Sequence, residues 1–180
     1  MLAIDQLIIC VIIEASNRRG DCVIIHPIEP VFDENSRILI LGSFPSVKSR
    51  EVMFFYGHPQ NRFWKVISAI YGKPLPCSNV EKRELLLSCK VAVWDVVASC
   101  EISGSSDSSI KNVVPNDLSV ILNTARIERI FVNGKAAEEY YNKYLLDITS
   151  IKAHYLPSTS PANAAFSLDK LIDKWRIIRE

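Results

Sequence analysis

The stretch Ile38-Leu39-Ile40-Leu41-Gly42-Ser43-Phe44-Pro45-Ser46 decides the fold class, because a continuous apolar run leads directly into a turn of small residues. Four consecutive aliphatic residues are typical of a strand buried on both faces, as in a parallel sheet covered by helices. Gly42 ends the run, and it lets the backbone turn sharply and approach a ligand closely. The stretch therefore predicts a buried strand that delivers a loop to a ligand site.

Other apolar runs of the same kind recur along the chain. They predict strands at residues 91–94, 130–132 and, less regularly, 153–156. Apolar residues at helical spacing lie between them and predict helices near residues 63–70, 81–88, 115–122, 137–145 and 168–178. Ser167 is a predicted N-cap, as is either Asn116 or Asp117. Alternation of strands and helices predicts an α/β fold with a mainly parallel sheet, whose ligands bind beyond the carboxyl ends of the strands.

Composition narrows the classes of protein that fit. The 180 residues suit one domain, and 48% hydrophobic with 23% charged residues is a globular composition. The net charge of +1 excludes a uniformly basic histone-like protein, although a local basic patch remains compatible with nucleic acid. The five cysteines lack CxxC spacing and are odd in number, so we expect buried, reduced thiols in a cytoplasmic protein, without metal.

The first 25 residues are interpreted as an extension of unknown role, and residues 26–180 as the domain proper. The apolar run at residues 7–13 is too short to span a membrane. It follows Asp5 rather than a basic region, and it has no evident cleavage site, so it is a poor signal peptide. It is either a strand paired through the turn at residues 17–21 with residues 22–25, or a dispensable extension; the sequence leaves both open.

Two loops carry the residue types that chemistry needs. The first runs from Gly42 through Tyr56-Gly57-His58-Pro59-Gln60-Asn61-Arg62-Phe63-Trp64, and the second is Leu156-Pro157-Ser158-Thr159-Ser160-Pro161-Ala162-Asn163. Tyr56 offers a flat face on which a base could stack, and the Asn61 amide could orient a water molecule. The second loop is a rigid turn with free N–H groups, suited to contact phosphates or, more plainly, to cap a helix.

These two loops resemble the first and second motifs of the uracil-DNA glycosylase superfamily. Residues 93–100 and 104–110, with Asn133-Gly134-Lys135, resemble its hypoxanthine-DNA glycosylase branch. The resemblance runs from about residue 26 to residue 178. It implies a three-layer α/β/α sandwich with a four-stranded, mainly parallel sheet, and monofunctional base excision without metal or cofactor.

Two positions depart from relatives that excise uracil. Many relatives carry Asp or Asn at the third position of the first motif, where this chain has Phe44, and a His opens their second motif, where this chain has Leu156. Neither side chain can activate water or act as an electrophile, so efficient uracil excision is not expected. The resemblance then implies Asn61 as the catalytic residue, positioning the attacking water.

The resemblance also implies how DNA and the flipped base would be held. Main-chain N–H groups of Ser43 and Phe44 would stabilise the departing base, Tyr56 would stack on it, and Asp95 would accept the N1–H of hypoxanthine. The residues expected to hold DNA phosphates are Ser158, Thr159, Ser160, Asn163 and Arg62. His58 and residues 105–109 are given structural roles.

We therefore expect a monomeric DNA-deoxyinosine glycosylase that flips the base and leaves an abasic site, with DNA as partner and no membrane contact. No lysine is placed as an obvious Schiff-base nucleophile, so strand cleavage is not expected. Two alternatives stand beside this interpretation: a uracil or mismatch-specific glycosylase on the same scaffold, and a catalytically silent DNA-binding module.

Overall fold

The computed structural model describes residues 22–102 and 110–180, which form two sheets flanked by helices. The strands are β1 (Cys22–Ile25), β2 (Ile38–Gly42), β3 (Val91–Asp95), β4 (Val97–Ile102), β5 (Ile110–Pro115), β6 (Arg129–Asn133) and β7 (His154–Leu156). The helices are α1 (Val47–Glu51), α2 (Phe63–Tyr71), α3 (Asn79–Ser88), α4 (Ser119–Leu122), α5 (Lys135–Tyr144), α6 (Leu146–Thr149) and α7 (Leu168–Trp175), with a closing 3-10 turn at Arg176–Ile178.

The predicted three-layer fold is confirmed. A four-stranded sheet with the order β3-β2-β6-β7 is parallel throughout. Alternate residues of its strands enter opposite cores, as the two-residue period of a strand requires. Ile38 and Ile40 pack under α2, α3 and α7, whereas Leu39 and Leu41 pack under α4 and α5.

A second sheet is antiparallel and has the order β1-β4-β5; its strands β4 and β5 were not predicted from the sequence, whereas β1 was one of two alternatives left open. Strands β3 and β4 are separated by Val96 alone, so the chain leaves one sheet and enters the other directly after Asp95. Strand β1 pairs with β4 from Cys22 opposite Ile102 to Ile25 opposite Ser99. The run at residues 7–13, the turn at 17–21 and the segment 103–109 lie outside the described residues.

Helix starts follow the capping chemistry of the sequence. The Ser167 hydroxyl accepts a hydrogen bond from Lys170 N at 3.3 Å, which confirms it as the N-cap of α7. The helix predicted from Pro115 begins later, at Ser119, because Pro115 still belongs to β5. Of the two candidate caps, the Asp117 side chain accepts from Ser119 N at 2.9 Å, whereas Asn116 turns inward.

The cysteines are more varied than expected. Cys100 is buried, in agreement with the prediction, but Cys77 is exposed and Cys89 is half-buried. Cys77 lies on the exposed connection between α2 and α3, so for this residue the expectation of burial was wrong. None of the helices in residues 22–102 and 110–180 is long and apolar enough to cross a membrane.

Candidate active site

A cavity of about 170 Å³ opens at the carboxyl ends of the parallel strands. It is lined by Gly42, Ser43, Phe44, Pro45, Ser46, Ser49, Phe55, Tyr56, Asn61, Asp95, Asn133, Ser158, Thr159 and Ser160. Strand register explains this convergence, because Gly42 lies opposite Asp95 and Asn133 lies opposite Leu156. Both motif loops therefore meet at one edge of the sheet, as expected for an open parallel sheet.

Asp95 is the buried acid of this cavity. The residue is 4% exposed, and its Oδ2 lies 2.8 Å from Nε2 of His26. The other ring nitrogen of His26, Nδ1, accepts a hydrogen bond from Ile28 N at 3.2 Å. An accepting Nδ1 carries no proton, so this arrangement places the proton of a neutral imidazole on Nε2, where it is donated to Asp95.

Gly42 makes room for the Asp95 carboxylate. A Cβ built on Gly42 would lie 2.1 Å from Asp95 Oδ1 and 3.4 Å from the Tyr56 hydroxyl. A side chain at position 42 would therefore displace the acid. Gly42, at the end of β2, therefore leaves the space that the Asp95 carboxylate occupies at the bottom of the cavity.

Tyr56 is held rigidly beside this acid. Its ring stacks on Phe63 with a centroid separation of 3.9 Å, and its backbone adopts a φ of 53°. Its buried hydroxyl has no hydrogen-bond partner among the described residues. Burial first, and then the negative charge of Asp95, raise the pKa of this hydroxyl far above its usual range, with a smaller opposing effect from Asn133. The group therefore remains a neutral O–H that faces the same space as Asp95.

The turn after β2 offers main-chain donors. The carbonyls of Gly42 and Ser43 accept hydrogen bonds from Val96 N at 2.9 Å and Val97 N at 3.1 Å, which fix the turn against the start of β4. Within the described part of the chain, the N–H groups of Ser43 and Phe44 donate to no main-chain or side-chain acceptor. Both residues line the cavity, so these donors are available for a ligand.

Asn61 lies where α2 begins. Its Oδ1 accepts a hydrogen bond from Phe63 N at 3.0 Å, and its own N–H donates to His58 O at 2.8 Å. One lone pair of Oδ1 and the side-chain amide N–H groups are left for the cavity. His58 Nδ1 accepts from Gln60 N at 3.1 Å, which agrees with a structural role in this loop.

The loop between β7 and α7 is fastened from within by Arg62. Its guanidinium donates to the carbonyl oxygens of Thr159, Ser160, Asn163 and Phe166. In this structure the Arg62 guanidinium is therefore bound to the loop itself and holds its shape. Direct phosphate contact by Arg62 stays a prediction.

The remaining residues predicted to hold DNA are divided by burial. Thr159 is fully buried, and its main-chain N and Oγ1 bind the Asn133 side chain at 3.0 Å each. Ser158, Ser160 and Asn163 are half-buried, and the Asn163 amide donates to Ser158 O at 2.8 Å. Thr159 therefore shapes the loop, while Ser158, Ser160 and Asn163 are the members that retain exposed surface.

Sequence reasoning missed two residues of this site. His26 is 69 residues from Asp95, and no spacing or motif connects them. Asn133 belongs to a segment that resembles the family, but its position in the sequence gives no sign that it joins the end of β6 to Thr159. The only available signal for either was a polar side chain directly after an apolar run, which is weak by itself.

The described residues contain no group of three or more His, Cys, Asp or Glu side chains that could hold a metal ion. The polar groups that do converge include one carboxylate paired with an imidazole, one phenol, two amides, several Ser and Thr hydroxyls and unpaired main-chain N–H groups. Such a set can hold a planar heterocycle by its edge and position water beside it.

Comparison with known proteins gives consistent results. The family model of the uracil DNA glycosylase superfamily matches residues 29–178. A hypoxanthine DNA glycosylase of Methanosarcina barkeri (strain Fusaro) is 36% identical over 136 residues, which is 74% of this chain and 85% of that protein. A hypoxanthine DNA glycosylase of Methanosarcina acetivorans is 36% identical over 142 residues, which is 78% of this chain and 89% of that protein.

Solved structures include a related fold. The solution NMR structure of a candidate uracil DNA glycosylase from Methanosarcina acetivorans superposes with a TM-score of 0.71 at 32% sequence identity. The match covers 85% of this chain and 97% of that chain.

Proposed function

The chain belongs to the uracil DNA glycosylase superfamily, and on this premise we propose that it excises hypoxanthine from deoxyinosine in DNA. It hydrolyses the N-glycosidic bond and leaves an abasic site. The observation that carries the proposal is the buried Asp95 carboxylate on the floor of a cavity at the sheet edge. The names of the two Methanosarcina relatives support the same substrate.

Asp95 provides the chemical basis for selecting the base. A carboxylate accepts hydrogen bonds and cannot donate one, so it favours a base edge that presents N–H. Hypoxanthine presents N1–H, whereas adenine presents a lone pair at N1. Guanine also has N1–H, so its 2-amino group must be refused by the shape of the cavity.

The reaction requires the nucleotide to leave the stack, which costs a few kcal/mol and costs least for a mispaired base. Tyr56 contributes a flat surface beside the flipped base, with its ring supported by Phe63. As the C1′–N bond breaks, positive charge develops on the sugar and negative charge on the base. The free N–H groups of Ser43 and Phe44 stabilise that base, and Asn61 positions the water that attacks C1′.

The product is an abasic site without strand cleavage. A combined glycosylase and lyase reaction requires an amine that forms a Schiff base with C1′. Within the described part of the chain, no lysine lines the cavity. Lys135 is the lysine at the end of β6, and its place at the first position of α5 fits a helix start.

DNA is held by the loop between β7 and α7. Ser158, Ser160 and Asn163 contact phosphates, and Arg62 keeps the loop in shape through its hydrogen bonds.

We propose that the protein acts as a monomer in the cytoplasm. Gel filtration of the free protein and of its DNA complex tests the monomer.

The deciding experiment compares labelled duplexes that carry one deoxyinosine, uracil, xanthine or ethenoadenine. Abasic products are revealed by alkali, and strand cleavage without alkali is scored separately. Release from deoxyinosine with little from uracil is the expected result. Strong uracil release would replace the substrate and retain the chemistry, whereas DNA binding with no release of any base would favour a silent binding module.

Asn61→Ala tests the catalytic assignment. The substitution removes the group that orients water, and we expect single-turnover release of hypoxanthine to fall by about 100-fold or more, while DNA affinity changes little. It also removes the hydrogen bond from Phe63 N at the start of α2, which contributes about 1 kcal/mol.

Ser78→Ala is the matched control for Asn61→Ala. The Ser78 hydroxyl accepts from Glu81 N at 3.2 Å at the start of α3. This variant also loses one side-chain hydrogen bond at the start of a helix, and it should keep the wild-type rate of base release. Equal loss of activity in both variants would mean that Asn61 acts through stability alone.

A further inference from the structure

The strongest feature outside the assigned residues is His26, which lies just after β1 at the edge of the second sheet. We propose that His26 is a specificity-determining positioning residue, which fixes Asp95 as a pure hydrogen-bond acceptor toward the flipped base. The inference rests on the proposed function, because it explains how the same cavity selects a base that carries N1–H.

The hydrogen bonds around His26 select one tautomer of its ring. Ile28 N donates to Nδ1 at 3.2 Å, so Nδ1 is an acceptor and the neutral ring carries its proton on Nε2. Nε2 then donates to Asp95 Oδ2 at 2.8 Å. Side-chain exposure of 2% for His26 and 5% for Asp95 removes competing water from this bond.

The pair formed by His26 and Asp95 is held rigidly by its neighbours. The His26 ring has Phe44, Phe55 and Trp94 as aromatic neighbours, with centroids at 5.9, 6.1 and 6.5 Å. The main-chain N–H of His26 donates to Ala98 O at 2.7 Å, which ties the residue to β4. Asn116 Nδ2 donates to Asp95 O at 2.9 Å, so both partners are fixed through their main chains as well.

One carboxylate oxygen of Asp95 remains for a ligand. Asp95 Oδ1 lies over Gly42 and receives no hydrogen bond from the described residues. With Oδ2 occupied by His26, Oδ1 is the oxygen left to meet the edge of a ligand. A carboxylate whose second oxygen holds an N–H donor keeps its orientation, so its free oxygen can accept from N1–H and repels an N1 lone pair.

The test uses two bases that differ at this edge. Deoxyinosine presents N1–H, whereas 2′-deoxynebularine presents an N1 lone pair and lacks the 6-oxo group. Single-turnover release from duplexes carrying each base gives a preference ratio for every variant. His26→Leu removes the donor, and we expect it to slow hypoxanthine release by about 10- to 100-fold and to lower the preference ratio.

His26→Gln restores an N–H donor and should recover the preference ratio, which a merely structural role would not predict. His154→Gln is the matched control, because His154 is exposed on β7 and lies outside the cavity lining. A His26→Leu variant with the wild-type rate and preference would overturn the role of His26. A wild-type protein inactive on deoxyinosine would instead overturn the proposed function.

A direct measurement guards against a His26→Leu variant that does not fold. The chain has three histidines, so ¹⁵N shifts of their ring nitrogens in the free protein are readily assigned with the two Gln variants. A His26 ring protonated at Nε2 and bare at Nδ1 supports the proposal. A ring protonated at Nδ1 would overturn it whatever the activity of the variants.

Discussion

At the scale of single residues, the site depends on a missing side chain as much as on those present. Gly42→Ala introduces a methyl group 2.1 Å from Asp95 Oδ1, so the carboxylate must move. We expect base release to fall by about 100-fold, with a loss of about 1–3 kcal/mol in the free energy of unfolding. Single-turnover assays and urea unfolding measure both quantities.

Gly72→Ala supplies the control for Gly42→Ala. Gly72 has a φ of 63° at the end of α2, and no atom of the described residues lies within 4 Å of a Cβ built there. The substitution costs about 1 kcal/mol through backbone strain alone and should leave base release unchanged. A Gly42→Ala variant as active as Gly72→Ala would show that Asp95 need not occupy its observed position.

The same scale shows why some site residues could be predicted and others could not. Asn61 and Tyr56 stand in a motif whose order along the chain carries information, and the structure brings both to the cavity. His26 has no such context, because its partner is 69 residues away and belongs to the other sheet. A contact between two sheets is set by packing, which sequence spacing does not record.

At the scale of elements, the four parallel strands were predictable, whereas the antiparallel strands β4 and β5 were not, and β1 was one of two open alternatives. Strands β2 and β3 are fully or almost fully buried, so their apolar runs are unbroken. Strand β4 combines buried Val97 and Cys100 with half-exposed residues, and its pairing with β5 has two register shifts. Because of the register shifts and the partly solvent-exposed face, β4 lacks the regular alternation of apolar and polar residues by which such strands are recognised.

The loop between β7 and α7 permits a sharp test of Arg62. Because its guanidinium is bound to carbonyl oxygens of the loop, Arg62→Gln should weaken DNA binding by distorting that loop. The slope of log affinity against log salt should stay unchanged, since a phosphate contact contributes about 0.9 to that slope. Fluorescence anisotropy over a salt series measures it.

Lys65→Gln removes one positive charge from a neighbouring exposed position of α2 and serves as the comparison. If Lys65 meets a phosphate, its variant lowers the slope by about 0.9. A slope lowered in the same way by Arg62→Gln would mean that Arg62 leaves the loop and binds DNA directly.

At the scale of the whole molecule, a tyrosine outside the cavity lining limits alkaline stability. Burial first, and then nearby Cys89, raise the pKa of Tyr71 to about 12, with opposing effects from Arg129 and Arg179. Because the folded pKa lies above the unfolded value of 10.0, the stabilisation is complete below pH 10 and is lost as pH rises toward 12. Tyr71→Phe should flatten the fall in unfolding free energy between pH 10 and about pH 12, measured by urea titration.

The two sheets work as one unit because the chain passes between them at Asp95, and this makes the domain boundary testable. Strand β1 pairs with β4 over four residues and leads directly to His26. A truncated chain that starts at His26 lacks the pairing of β1 with β4, whereas a chain that starts at Cys22 retains it. This pairing contributes on the order of 2–4 kcal/mol to the free energy of unfolding. It should also release hypoxanthine more slowly, since His26 would then be anchored mainly through Ala98 O. Comparison of the two truncations cancels any effect of the first 21 residues. If the two truncated chains are equally stable and equally active, β1 belongs to the dispensable extension. Asp95 would then be positioned by the parallel sheet alone.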